Sequence, residues 1–172
     1  SDHEVRIDVN RTLTNGAGHT MEGASGRFYA NSTPCHFINN GTLRANVAGR
    51  TLQFTGPWGG WLHLTSNSLT EVVNGATMEM AARYISNGTI NVGPGSHLAF
   101  AYDGQKTIRG TLNNDGLITG DCDVNFDNTA GICTGEYRQN GSYTTTFGNN
   151  TTVEFGIVDI RNGRITVADG GM

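Results

Sequence analysis

Apolar and polar residues alternate in short runs along most of this chain, and the runs recur. Leu43, Ala45 and Val47 alternate with Arg44 and Asn46, and Leu52 and Phe54 follow beyond Gly49. A period of two marks a strand with one buried face. Setting residues 66–80 beneath residues 40–54 without a gap brings Leu69 under Leu43, Val73 under Val47, Gly75 under Gly49, Met78 under Leu52 and Met80 under Phe54. Further copies begin at Asn87-Gly88-Thr89-Ile90, Asn114-Asp115-Gly116-Leu117, Asn140-Gly141-Ser142-Tyr143 and Asn162-Gly163-Arg164-Ile165. The copies define a first apolar column of Leu43, Leu69, Ile90, Leu117, Tyr143 and Ile165. A second holds Phe54, Met80, Phe100, Phe126 and Phe155. Three residues before the first column stand Asn40, Ser66, Asn87, Asn114, Asn140 and Asn162. Each is followed by Gly, Asn or Asp, the residue types that adopt positive φ at low cost, which predicts a turn there.

Repeats of roughly 20–30 residues, each a single structural unit, indicate a solenoid. Short alternating runs joined by Gly predict two or three strands per turn, stacked on the equivalent strands of the next turn. The expected fold is all-β: a single-stranded, right-handed parallel β-helix of about six coils, the hand following from the preference of parallel crossovers. Residues 1–36 are expected to form an N-terminal strand and an irregular cap, residues 37–167 the β-helix repeats and residues 168–172 a flexible tail. In such a stack Asn40, Asn87, Asn114, Asn140 and Asn162 predict a structural ladder, with side-chain amides bonded from coil to coil. Asn87 and Asn114 should be buried and Gly88 should sit at positive φ.

The N-G-T-L and T-L-x-F pattern from about Asn40 to Val167 resembles the parallel β-helix repeats of phage virion proteins (decoration proteins, tail fibres and tailspikes), of secreted adhesins and of pectate-lyase-like enzymes. The resemblance implies a structural or adhesive role on an extracellular surface, a phage virion foremost. It also implies closed homo-oligomers, trimers in particular, with other virion proteins or a cell-surface glycan as further partners. No catalytic motif of these families falls on a residue of this chain.

Composition agrees with a repetitive β surface. Gly numbers 25, Thr 22 and Asn 18, while charged residues make up only 15%, against about a quarter in ordinary globular domains. There is a single lysine, Lys106, and the net charge is −4. A basic face for nucleic acid is therefore not expected. No apolar run has the length of a membrane span.

The candidate chemistry is sparse. Asp121, Asp123 and Asp127 form the densest carboxylate row. Acid–base catalysis on a polysaccharide or Ca²⁺ binding would use such a row. A solvated strand face is favoured, because no Arg or Lys is positioned beside it in sequence. Trp58 and Trp61 share a Gly-Pro loop that departs from the repeat. Aromatic anchors of this kind suit a subunit contact first, corner packing second and a stacked sugar third. His19, His36, His63 and His97 have no ligand partner at metal spacing, so neither a metal nor a cofactor is expected. Cys35, Cys122 and Cys133 lack CxxC spacing. Cys122 shares its parity with Val124 and Phe126 and is expected to be a small buried hydrophobe. The threonines show no alignment at the coil period, which argues against an ice-binding array. The sequence thus leans away from an enzyme. The alternatives are a glycan-binding or polysaccharide-degrading tailspike module, using the Asp row or the Trp pair, and a fragment of a secreted bacterial adhesin.

Overall fold

The computed structural model describes residues 3–31, 34–56, 62–101, 105–140, 142–148 and 150–167. These residues form a parallel β-solenoid of about seven turns, without helix. Each turn has three faces. The first turn is β1 (Glu4–Ile7), β2 (Thr12–Asn15) and β3 (Thr20–Gly23), and the second is β4 (Gly26–Ala30), β5 (Cys35–Asn39) and β6 (Thr42–Ala45). The third is β7 (Thr51–Thr55), β8 (Leu62–Ser66) and β9 (Leu69–Val72), and the fourth is β10 (Thr77–Ala81), β11 (Arg83–Ser86) and β12 (Thr89–Val92). Beyond these, strands run through the corners. The fifth turn is β13 (His97–Phe100) and β14 (Lys106–Asn114); the sixth begins at β15 (Leu117–Gly120) and continues into β16 (Val124–Gln139). The seventh uses the end of β16, then β17 (Thr144–Phe147) and the start of β18 (Thr152–Ile160). The rest of β18 and β19 (Arg164–Val167) open an eighth.

Stacking begins at β1, which pairs with β4, so residues 4–30 contribute regular strands and the stack has about seven turns where the sequence pattern suggested six. Gly- and Thr-rich β2 and β3 carry too few apolar residues to stand out as a repeat, yet they pair in register with β5 and β6.

Inward residues fill a single core. Phe28 stacks on Phe54 with centroids 4.8 Å apart and planes 2° from parallel, and Phe37 sets its edge against both. Phe126 stacks on Phe147 at 5.3 Å. Burial of this many large apolar side chains, each contributing about 1.5–3 kcal/mol, is the main driving force for closing the coils.

The structure corrects the repeat alignment in two places. On the third face the register is Thr42 to Leu69 and Leu43 to Thr70, a step of 27 residues, so Leu69 points outward. On the first face the step is 26, as the gapless alignment has it: Thr51 meets Thr77, Leu52 meets Met78 and Phe54 meets Met80. The corner between β9 and β10 is one residue shorter than the corner between β6 and β7, which absorbs the difference. The second apolar column holds from Phe54 through Met80 to Phe100, then continues to Gly120 and Gln139. Phe126 belongs to the second face, between Ile108 and Phe147, and Phe155 lies on the third face opposite Cys133.

The asparagines also divide among corners. Asn40 and Asn87 sit at the corner between the second and third faces, where they are exposed. Their outer ladder runs through Asn67: Asn67 Nδ2 donates to Asn40 Oδ1 at 3.0 Å and Asn87 Nδ2 to Asn67 Oδ1 at 2.9 Å. Asn114 is fully buried at the corner between the third and first faces. Its amide donates to Glu136 O at 3.1 Å and its Oδ1 accepts from Gly116 N at 3.0 Å. Asn140 and Asn162 occupy the corner between the first and second faces, half-buried and exposed respectively. Asn162 has φ 61°. Gly88 is not at positive φ; a Cβ there would overlap the Ser68 backbone of the turn below, so close coil approach selects the glycine. The buried amide ladder is a different set. Asn15 Nδ2 donates to Asn39 Oδ1 at 2.8 Å, Asn39 Nδ2 to Ser66 Oγ at 3.0 Å, and the chain continues through Thr70 to the Tyr84 hydroxyl.

Replacing Asn114 by Leu leaves the Glu136 carbonyl and the Gly116 amide without their partner, at an expected cost of about 1–3 kcal/mol. The same change at exposed Asn87 should cost less than about 0.5 kcal/mol. Denaturant melts of the two variants check the contrast; equal losses would contradict the division into buried and outer asparagines.

Candidate functional site

The outer side of the first face carries the densest set of interacting polar groups. Parallel register fixes its central row, because an outward residue on one strand faces the outward residue of the next turn. Glu4, Arg27, Gln53, Glu79, Ala99, Thr119, Arg138 and Asp159 follow one another in that row. Arg27 Nε donates to Glu4 Oε2 at 2.5 Å, and the Arg27 guanidinium also lies 5.0 Å from the Tyr29 ring centroid. Gln53 Nε2 donates to Glu79 Oε1 at 2.8 Å. Arg138 bonds Glu136 at 2.7 Å and approaches Asp159 at 3.6 Å. At the end nearer β1 the row borders an open cleft of about 610 Å³, lined by His3, Glu4, Arg27, Arg50, Gln53 and Glu79 among others.

His97 stands in the neighbouring outward row, its Nε2 2.8 Å from Thr119 Oγ1. Burial lowers its pKa below the ordinary 6.5, the Arg138 charge lowers it further, and Asp121 and Glu79 act the other way. The imidazole is therefore held neutral and serves as a hydrogen-bonding strut.

The acidic residues singled out by sequence do not converge. Asp121 and Asp123 lie in the corner between β15 and β16, exposed on either side of buried Cys122. Asp123 Oδ1 accepts from the Thr144 amide at 2.8 Å, stapling that corner to the next turn. Asp127 lies in β16 and pairs with Arg109 at 3.1 Å. Asp123 thus fastens a corner and Asp127 a rung, while Asp121 stands exposed beside them. Trp58 and Trp61 lie outside the described residues. Among the described residues there is no group of three or more His, Cys, Asp and Glu side chains placed to hold a metal ion, and no helix long and apolar enough to cross a membrane.

The three cysteines are buried thiols. Cys122 points inward near Lys106, as its parity predicts; burial raises its pKa although the lysine opposes the rise. Burial pushes Cys133 up to about 11. An interior polar cluster stands in the same region. Tyr137 OH donates to Gln139 Oε1 at 2.6 Å and lies 2.8 Å from Thr145 Oγ1, while Gln139 Nε2 donates to Cys122 O at 3.0 Å.

Sequence reasoning missed two outer features. The row of the first face was hidden because its steps change with corner length. On the third face Thr20, Thr42, Thr89, Thr111 and Thr152 do stack in one outward column, interrupted by Leu69 and Ala130. The row beside it is mixed, with Arg44 bonded to Glu71 at 2.7 Å, so the face is not a uniform threonine array.

No protein-family model matches the chain, and comparison with curated proteins and with solved structures finds no match.

Because the folded pKa of His97 is depressed, the unfolded chain takes up the proton first as pH falls through 6.5. This part of the stability is complete above that value and declines below it. Melting temperatures measured from pH 8 to pH 5 should fall more steeply for the wild type than for His97→Gln; parallel curves would contradict a half-buried imidazole with a lowered pKa.

Proposed function

We propose that this protein is a non-catalytic structural or adhesive rod on an extracellular surface, a virion exterior foremost, working as a closed homo-oligomer with a trimer favoured. The observation that carries the reading is the use of the chain. Its strands form one continuous stack, and several outward charged residues pair as rungs between turns, as in Glu4–Arg27, Arg44–Glu71 and Arg109–Asp127. Strands paired on both edges resist unfolding and proteolysis, which suits an exposed particle surface. The resemblance of the repeats to decoration proteins, fibres and adhesins supports the same setting, and closed symmetry is the usual form of such assemblies. Trp58 and Trp61 are the anchors assigned to the subunit contact, since Trp dominates interface energetics.

A second reading, a glycan-binding module, draws on the cleft beside Arg27, Arg50 and Gln53, where several hydrogen-bonding side chains converge. A hydrolase or lyase built on Asp121 and Asp123 is disfavoured, because Asp123 is engaged by the Thr144 amide. A fragment of a secreted adhesin shares the architecture and differs in what precedes it in the full protein.

The test offers the purified protein capsular and lipopolysaccharide glycans and measures new reducing ends, unsaturated sugars and binding. The structural reading predicts neither turnover nor saturable binding, and loss of assembly in the double variant Trp58→Ser, Trp61→Ser. Turnover that disappears in Asp121→Asn, Asp123→Asn would overturn it in favour of an enzyme. Binding lost in Arg50→Ala would favour the glycan-binding reading.

A further inference from the structure

Parallel register brings together two histidines that the sequence keeps a full turn apart. On the outward side of the second face Thr12, His36, His63 and Arg83 follow one another in one column. His36 and His63 are therefore neighbours in the second and third turns, the first exposed and the second half-buried. Their ring centroids lie 5.3 Å apart, with the ring planes at 88°. The backbone beneath them is fixed. β5 is paired on both edges, to β2 and β8, and β8 likewise to β5 and β11. Cys35 and Phe37 on either side of His36, and Leu62 and Leu64 on either side of His63, are buried in the core. Both imidazoles thus stand on a rigid sheet within the stack.

An ion held at about 2.0–2.1 Å by one nitrogen of each ring sets the two ring centres roughly 5 Å apart when its geometry is tetrahedral. The observed separation fits that span. The crossed planes are no obstacle, because ligand rings turn about their metal–nitrogen bonds. In histidine χ2 is a broad torsion, which lets a nitrogen of each ring reach the shared point. Imidazole suits late first-row divalent ions, whereas Mg²⁺ and Ca²⁺ take oxygen ligands. A spacing fixed before binding also lowers the ordering cost of the complex. Arg83, the charged neighbour in the next turn, opposes a cation, but it is exposed and its charge is screened by solvent and salt. We propose that His36 and His63 together chelate a divalent transition-metal ion, zinc in particular, on the outer side of the second face, with water in its outward positions. The site is separate from the cleft on the first face and does not depend on the structural role proposed above.

Titration of the purified chain with Zn²⁺ alone tests this, read by calorimetry and by NMR of the imidazole nitrogens. The expected result is one saturable equivalent that shifts the ring signals of His36 and His63 together and leaves those of His97 in place. His36→Gln and His63→Gln should each weaken Zn²⁺ binding at least about tenfold, with an unchanged circular dichroism spectrum, while His19→Gln leaves it unaltered. The ring signals of the wild type keep the proposal testable if a variant does not fold. Absence of saturation would overturn the proposal. So would an affinity that survives both substitutions, a loss in His19→Gln equal to theirs, or two separate equivalents of which each histidine carries one.

Discussion

Parallel pairing between equivalent strands of successive turns is the constraint on which everything else in this protein depends. Once Thr51 is paired to Thr77 and Leu64 to Tyr84, every inward residue stands over its equivalent and every outward residue stands beside its own. Side chains at the strand spacing of about 4.8 Å must then tolerate one another in columns. Aromatic columns do so by stacking, as Phe28 and Phe54 show, and amide columns by passing a hydrogen bond upward, as Asn15, Asn39 and Ser66 show. Charged rows do so by alternating sign, as in Glu22, Arg44 and Glu71.

The corners decide which column a residue joins. Between the second and third faces they are tight enough that the backbone of one turn lies against that of the next, which is why Gly41 and Gly88 have no room for a Cβ. At three corners between the third and first faces the chain takes a left-handed residue, supplied by Gly49, by Asn74 with Gly75, and by Gly95. Corners there and between the first and second faces vary in length, and each change shifts the sequence period without disturbing the stack.

That variation explains what the sequence pattern could and could not reveal. Period-two alternation and a recurring Gly made the parallel solenoid legible, and the run Phe54, Met80, Phe100 lies in the true column. The pattern then slipped where the core turns polar. Gly120 and Gln139 replace an aromatic residue there, the glutamine filling the space the glycine leaves, so the apolar signal passes to Phe126 on another face. The Asn column slipped in the same way, because Asn-Gly marks three different corners. Ion-paired rows on the outside leave no trace of their own in the sequence, since Arg27, Gln53 and Glu79 become neighbours only after the register is known. Among the candidate residues, Asp123 and Asp127 have neighbours in adjacent turns that hold them as fasteners, and this too depends on register.

The proposed function draws on the same economy: strands, corners and several outward ion pairs serve the continuity of the stack. Its central structural claim is therefore the register, and the most direct test is a through-space NMR experiment on the isotopically labelled chain. Backbone contacts should link Phe100 to Gly120 and Phe126 to Phe147, with the intervening residues in parallel order. Backbone contacts linking Phe100 to Phe126, as the bare repeat pattern would have it, or antiparallel order along either pair, would contradict the account.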